Sequence, residues 1–593
     1  MVLLYTHTLP QTDPLDPATP LIIGAGLLSG APVPTAARMN ISGRSPETGL
    51  LGDSNIGGHF APLLRQNGYD HLVITGKAPQ PVYLSLEQGK ISLLDAASLW
   101  GRDTLETLEL LQRRHGPASQ SLVIGPAGEN LVRFATIRHG RKNTAGRTGL
   151  GCLMGAKNLK AIVAQPGPAL DSAYPQELIA YARELTQRLK KSRTSEVLHR
   201  LGTPFLYDLH NQRGILRTRN ALLNQFKEGR GLRSPHLKKY YTETRGCFAC
   251  PIRCHHSYRF PGRDQTEITG YGFEYGVLGS LGPVCGLGNL EGLLRLNELL
   301  NRLGLDAAST GNLIAWAMEL FQRGLLTRAD TDGLELTWGD EEVITRLIEQ
   351  IVYRQGLGAI LADGARAAAG RWGPEAAGYL IWSKYLPQSD SVDLRAFKGF
   401  ALGVATASRG ADHLRSRPTL EALNLTAAEL AQHYGPQVSP DPTSYQGKAQ
   451  AVWHSEIAYA LADALGLCRF AQNFNSTNHM NLTDFSRLIS YATGLDLSEA
   501  ELRRIGERII TLERLFLMRE GLDRRNDTLP DRYFDEPLPL GPYQGEHLDR
   551  KAFETMLTEY YHLHNWDVAT GNPSAACLEE LNLTNLTDLV DAP

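Results

Sequence analysis

Gly246-Cys247-Phe248-Ala249-Cys250-Pro251-Ile252-Arg253-Cys254 carries three of the chain's seven cysteines in C-x2-C-x3-C spacing. That spacing brings three thiolates within reach of one metal centre. A tetrahedral site or an iron–sulfur cube then needs one more ligand. The best remaining candidate is Cys468, in Leu465-Gly466-Leu467-Cys468-Arg469-Phe470, more than two hundred residues downstream. Zinc stays open on spacing alone, although the set is not the paired C-x2-C ribbon of structural zinc sites. A remote fourth ligand would tie two distant parts of the chain to one cluster.

Around this stretch lie 593 residues, enough for about three or four domains. A net charge of −3 gives no electrostatic reason to expect nucleic acid or an anionic membrane as partner. No apolar run approaches the length of a membrane span. The amino terminus lacks the basic region and cleavage site of a signal peptide. An odd cysteine count, with three clustered like ligands, points to a reducing cytoplasm.

Residues 1–20 are rich in proline, threonine and aspartate and predict an extended lead-in. From there to about residue 170 the signals are strand-like. Leu21-Ile22-Ile23, Leu72-Val73-Ile74, Val82-Tyr83-Leu84 and Leu122-Val123-Ile124 are short apolar runs bounded by glycine or proline. Gln88-Gly89 predicts a hairpin turn. Beyond 170 the period becomes helical. Pro175 opens one helix, and Asp340 caps another with Gly356 at its end. Ser498 and Glu501 form a capping box for a third.

Two segments share a pattern: Asn301-Arg302-Leu303-Gly304-Leu305-Asp306 and Asp463-Ala464-Leu465-Gly466-Leu467-Cys468. They are either two ordinary glycine-terminated helices or two matched polar loops gripping the halves of one symmetric ligand. Gly146-Arg147-Thr148-Gly149 and Asn55-Ile56-Gly57-Gly58 offer freed backbone amides beside cations, suited to a phosphate-bearing group. Neither is a P-loop, because the spacing fails.

Together with Asn40–Pro46, Gly125–Asn130, Ala145–Lys160, Arg409-Gly410-Ala411-Asp412-His413, Ile505–Arg508 and Asp527–Arg532, these segments closely resemble the tungsten-containing aldehyde ferredoxin oxidoreductase family. The resemblance spans nearly the whole chain. It implies an α+β fold, in which an amino-terminal domain of two β-sheets (1–170) forms a base for two pyranopterins. Two mainly helical domains (171–382 and 383–593) would cover it. It further implies tungsten or molybdenum held by the bis-pyranopterin, magnesium bridging the pterin phosphates, and a [4Fe–4S] cluster on Cys247, Cys250, Cys254 and Cys468. Arg38, Asn55, Gly57, Thr144, Gly146, Arg147, Asn301, Asp306, Asp463 and Leu467 fall at its cofactor contacts.

The implied reaction converts an aldehyde and water to a carboxylate. Glu274 or His413 would handle the proton, and electrons would leave singly through the cluster to ferredoxin or another iron–sulfur partner. The family's usual Glu-Tyr-Glu is here Glu274-Tyr275-Gly276, so Glu267 is the fallback carboxylate. A homodimer or hetero-oligomer is implied as well.

Three departures accompany the resemblance. The family's early hairpin, roughly forty residues long, is expected to be missing before Leu21. Asn143 stands where relatives carry a basic pterin contact, and Asn301 replaces an aspartate. Two rival readings follow: a benzoyl-CoA reductase-type tungsten subunit with Cys285 as metal ligand, and a non-catalytic paralogue whose cysteines hold structural zinc. His255-His256 receives no role.

Overall fold

The structure is a computed structural model that describes residues 1–588 other than 265, 390, 420–424 and 474. Ten strands precede residue 165: β1 (Leu21–Ala25), β2 (Met39–Arg44), β3 (Leu51–Ile56), β4 (His71–Ile74), β5 (Val82–Glu87), β6 (Lys90–Asp95), β7 (Gln120–Val123), β8 (Ile137–His139), β9 (Asn143–Ala145) and β10 (Leu159–Ala164). They form a four-stranded sheet, order β3-β2-β1-β4, and a six-stranded sheet, order β6-β5-β10-β7-β8-β9. All pairings are antiparallel except β5 with β10. Gln88 and Gly89, both at positive φ, make the tight β5–β6 turn that the sequence predicts.

Side chains alternate across the four-stranded sheet, and this sorts its two faces. Leu21, Ile23, Met39, Ile41 and Ile56 join one apolar core with Leu122, Ile137, Leu159 and Ile162 of the larger sheet. The opposite face is polar: Asn40 pairs with Asn55 and Ser42 with Asp53 across β2 and β3. That polar floor is covered by helices from beyond residue 400.

The rest is helical with one exception. A three-stranded sheet, β11 (Tyr241–Arg245), β12 (His255–Pro261) and β13 (Glu267–Tyr271), is absent from the sequence expectation. Its strands are half-exposed and polar, so they lack the apolar alternation by which a strand is recognised. The cysteine motif is the β11–β12 connection, and left-handed Ala249 and Arg253 set its curl.

Two further expectations are corrected. The lead-in is not extended throughout: Val2–His7 is a helix, held where Leu4 and Tyr5 are buried and Arg519 donates to the Tyr5 carbonyl (2.7 Å). The Asp340-capped helix ends at Tyr353, not at Gly356. Left-handed Arg354 stops it, with its guanidinium on the Asn130 and Leu131 carbonyls. The capping box of Ser498 and Glu501 stands as predicted. The helix Pro175–Lys190 forms too, but it packs into the carboxy-terminal core with Phe485 and Leu488. Among the described residues no helix is long and apolar enough to cross a membrane.

Candidate active site and cluster site

Two corners of the chain are built alike. The helix Leu290–Leu303 ends at Gly304 (φ 75°), and the helix Lys448–Leu465 ends at Gly466 (φ 74°). Each glycine supplies the left-handed cap that a side chain would strain. The following leucines then bridge back to the β-domain, Leu305 to Ala135 and Leu467 to Ala36. Each corner also closes on a facing glycine. A β-carbon on Gly125 would lie 2.5 Å from the Leu303 carbonyl oxygen, and one on Gly26 would lie 2.1 Å from the Gly466 nitrogen. The two segments are therefore glycine-terminated helix ends that are also built alike.

Each corner begins with a residue facing arginine. Asn301 Oδ1 accepts from Arg138, while Asp463 pairs with Arg469 and lies 3.8 Å from Arg415. Arg138 and Arg415 were not singled out in the sequence; both are cations beside a motif rather than inside it. Arg415 also reaches Asp53 (2.7 Å) and Glu513. A cavity of about 550 Å³ lies over the polar sheet face, lined by Asn40, Ser42, Asp53, Arg415 and Asp463. That volume suits an organic cofactor.

At the Asp306 corner the chain turns through three left-handed residues in succession, Arg147, Thr148 and Gly149. Such strain in non-glycine residues is held where the surroundings over-determine it, commonly at ligand clamps. The Arg147 amide donates to Asp306 Oδ1 (2.9 Å), and its guanidinium lies between Asp306 and Asp412, 3.3 Å from each. The Glu47 carboxylate is buried nearby, within reach of the Ser309 hydroxyl and the Thr148 backbone. Burial pushes that carboxyl up to about 8 against the pull of Arg147. A strained amide turn and matched arginines fit a polar, phosphate-bearing group.

The four predicted cluster cysteines come together. Burial, then the charges of Cys468 and Cys247, pushes the Cys250 thiol up to about 12; Cys254 and Cys468 are raised too, burial leading. Among the described residues no three His, Cys, Asp or Glu side chains converge tightly enough for one metal ion. A zinc site would need sulfurs about 3.8 Å apart, from a Zn–S bond of about 2.3 Å. Four thiols that sense one another from two distant parts of the chain are what a shared centre needs.

The predicted cofactor and cluster residues touch. Arg38 donates to the Asn55 side chain and backbone, and its charge acts on Cys468. A β-carbon on Gly57 would stand 3.1 Å from Cys247 Sγ. Asn143 Oδ1 lies 3.9 Å from the same sulfur, and Thr144 accepts from Arg138 at 3.1 Å.

The two proposed catalytic residues are not partners. His413 Nδ1 meets Ser389 Oγ at 2.8 Å, beside Asp412, which Arg409, His413 and Arg147 hold far below the usual carboxylate range despite burial. Glu274 instead accepts from Thr203 (2.5 Å), pairs with His255 Nδ1 (3.0 Å) and acts on Cys254. Burial pushes its carboxyl up, but His255 and Thr203 outweigh that and hold it at about 2. The fallback Glu267 is exposed on β13 and pairs with Arg259 at 3.5 Å. Tyr275, next to Glu274, accepts from Ser391 (2.7 Å) and contacts His210 Nδ1 (2.7 Å). Sequence gave no signal for that chain. Cys285 is fully buried, and its thiol donates to the Ser280 and Gly311 carbonyls at 3.3 and 3.2 Å.

Comparison with known proteins agrees with this architecture. Residues 1–166 match the family model for the aldehyde ferredoxin oxidoreductase N-terminal domain, and residues 180–583 match that for its domains 2 and 3. The chain is 33% identical over 590 residues to the tungsten-containing aldehyde ferredoxin oxidoreductase of Pyrococcus furiosus, covering 98% of this chain and 93% of the relative. It is also 33% identical over 569 residues to that of Thermococcus kodakarensis, covering 95% and 90%. An aliphatic sulfonate oxidoreductase, WOR-like subunit, of P. furiosus is 28% identical, covering 97% and 89%. Among solved structures, the active-site complex BamBC of benzoyl coenzyme A reductase with 1,5 dienoyl-CoA superposes with a TM-score of 0.83 at 25% identity, covering 99% of this chain and 92% of that one. With both of its domain models matched in order and along nearly its full length, the chain belongs to the aldehyde ferredoxin oxidoreductase family, an oxidoreductase family in which the two 33% identical relatives are tungsten-containing.

Proposed function

We propose that the protein oxidises an aldehyde to the carboxylic acid at a tungsten or molybdenum bis-pyranopterin, and passes electrons singly through a [4Fe–4S] cluster to ferredoxin or a similar iron–sulfur carrier. The observation that carries this reading is the contact between the cofactor turn and the cluster loop, where Gly57 and Arg38 stand against Cys247. Cys247, Cys250, Cys254 and Cys468 would hold the cluster. Arg38, Asn55, Gly57, Asp463 and Leu467 would serve one pterin, and Thr144, Gly146, Arg147, Asn301 and Asp306 the other, and magnesium would supply further charge neutralisation. When bound, the metal centre supplies Lewis-acid and two-electron redox chemistry.

The chain's own residues supply the proton handling. His413, oriented by Ser389 and flanked by ionised Asp412, is placed to take a proton from water or from the hydrated aldehyde. Glu274, ionised down to about pH 2, is a poor general base near neutrality. We therefore assign it to the cluster side, as a carboxylate that positions His255 beside Cys254. Cys285, engaged with two carbonyls, is not presented as a metal ligand, which disfavours the benzoyl-CoA reductase-type reading. The three folding units are read as 1–170, 171–382 and 383–593, with the helix Pro175–Lys190 lent to the third. A cytoplasmic oligomer fits the reading.

Anaerobic purification with metal analysis tests it. The expected result is tungsten or molybdenum with about four irons per chain, and aldehyde-dependent reduction of a viologen dye. Zinc alone, with no pterin released by acid, would overturn it.

A further inference from the structure

The β8–β9 hairpin carries two cations at its tip, and their surroundings differ. Arg141 is anchored: its guanidinium pairs with Glu109 at 2.8 Å, donates to Tyr271 Oη at 3.2 Å and lies 5.3 Å from the centre of that ring. Lys142 is not. Its Nζ is buried and has no hydrogen-bond partner among the described residues. The backbone around it has no slack. A β-carbon on Gly272, two residues before Glu274, would stand 2.8 Å from the Lys142 carbonyl oxygen. On the other side, Asn143 Oδ1 lies 3.9 Å from Cys247 Sγ. The Phe248 amide donates to the Gly58 carbonyl at 3.0 Å, and a β-carbon on Gly58 would stand 2.9 Å from Asn143 Nδ2. Hairpin tip and cysteine loop are thus one packed unit.

An ammonium held out of water without a partner is costly, and such a group implies an anion that completes its pocket. The acid that senses Lys142 is Glu274, but Thr203 and His255 already engage that carboxylate. The neighbouring histidines add no competing charge. Burial, helped by Lys142, lowers His139 to about 4 and lowers His59 as well. Arg38, the cation that acts on Cys468, is engaged by Asn55. Lys142 therefore stands between Glu274 and the cysteine loop as a cation with its charge unanswered. A [4Fe–4S] cube on four thiolates carries net negative charge and gains one more on reduction.

We propose that Lys142 is the counter-cation of the cluster: its unpartnered ammonium balances charge on the Cys247–Cys254 loop and raises the potential at which the cluster accepts an electron. The proposal rests on the redox reading above and adds a residue to its one-electron step. Lys142 is a positioning residue that acts through its field. A fixed positive charge in a pocket of low dielectric favours the reduced cluster over the oxidised one. One electron enters and no bond or proton changes hands.

The test is a potentiometric titration of the anaerobically purified full chain, read by the electron paramagnetic resonance of the reduced cluster. Lys142→Gln should lower the constant for one-electron reduction about tenfold, a shift of about 59 mV to lower potential, with iron per chain unchanged. Lys142→Arg, which keeps the charge, should stay within about twofold of the parent. Lys142→Met keeps the apolar stem and should repeat the glutamine result, which guards against one variant failing to fold. Iron lost from the two neutral variants but kept by Lys142→Arg would also support the proposal, because the charge would then be what retains the cluster. Parental potentials in both neutral variants would overturn it, as would an equal shift in Lys142→Arg or iron lost from all three. A parent protein without iron would overturn the redox reading and the proposal with it, so the two failures are distinct.

Discussion

Gly57 faces Cys247 so closely that a β-carbon on the glycine would stand 3.1 Å from the sulfur and 3.0 Å from Arg38 Nη1. There is room for backbone and nothing more. Gly57→Val should therefore leave the fold intact but weaken cluster retention about tenfold, in the range seen when the support of a metal ligand is disturbed. Iron per chain after gel filtration reads the outcome, and unchanged iron would show that the loop can retreat.

Cys468 comes from the helical end of the chain, while the other three thiols share one loop. Cys468→Ser should deplete cluster iron and change the electron paramagnetic resonance of the reduced protein. The chain should stay folded, because the Leu467–Ala36 bridge and the Gly466 cap are backbone features. Full iron with an unaltered spectrum would remove Cys468 from the ligand set.

His413→Ala should lower kcat by about 10²- to 10⁴-fold, the usual share of a positioned acid–base group. Tungsten and iron should stay at parental levels. Glu274→Gln should spare the proton-transfer step and alter cluster properties, since its partners are Thr203 and His255. The reverse pattern in steady-state kinetics would exchange the two roles.

Cys285→Ala should keep the metal content and the aldehyde oxidation. Its cost is a small buried cavity and two weak thiol hydrogen bonds, together about 1–2 kcal/mol. Loss of tungsten in this variant would revive the thiolate-ligand reading.

His564 is buried between two carboxylates, with Nε2 2.5 Å from Glu456 and Nδ1 2.8 Å from Glu507. Burial pushes its pKa down, but Glu507 and Glu456 outweigh that and raise it to about 10. A raised pKa in the folded state stabilises fully below the ordinary histidine value and loses that contribution as pH rises toward 10. Melting temperature should therefore decline from pH 7 to pH 10. His564→Gln, which leaves two facing carboxylates, should lower stability by about 3–5 kcal/mol at pH 7 and flatten that decline.

What the sequence revealed here was mostly local. Gly304 and Gly466 end helices, Ser498 starts one, and Gln88-Gly89 turns a hairpin, because each acts through its own backbone or its nearest turn. The cysteines announced themselves by spacing. The β11–β13 sheet stayed hidden because its polar strands carry no apolar period. The surroundings of Glu274 stayed hidden for a different reason. Its neighbours, Thr203 and His255, converge only through tertiary packing, so the motif named the residue without naming its company. Arg138 and Arg415 were equally silent, since an arginine reads alike in sequence whether it is solvated or clamped in a core.

The two alike corners differ at their sixth position, where one carries Asp306 and the other Cys468. At the first, a carboxylate takes the Arg147 amide; at the second, a thiol faces three more thiols. With the proposed cluster bound, a near-symmetric mount would have a conducting terminal on one side and an insulating one on the other. On the proposed function, the sixth residue of a repeated hexapeptide would mark the side from which current leaves the molecule. Changing that residue would alter the wiring of the protein while leaving its architecture standing.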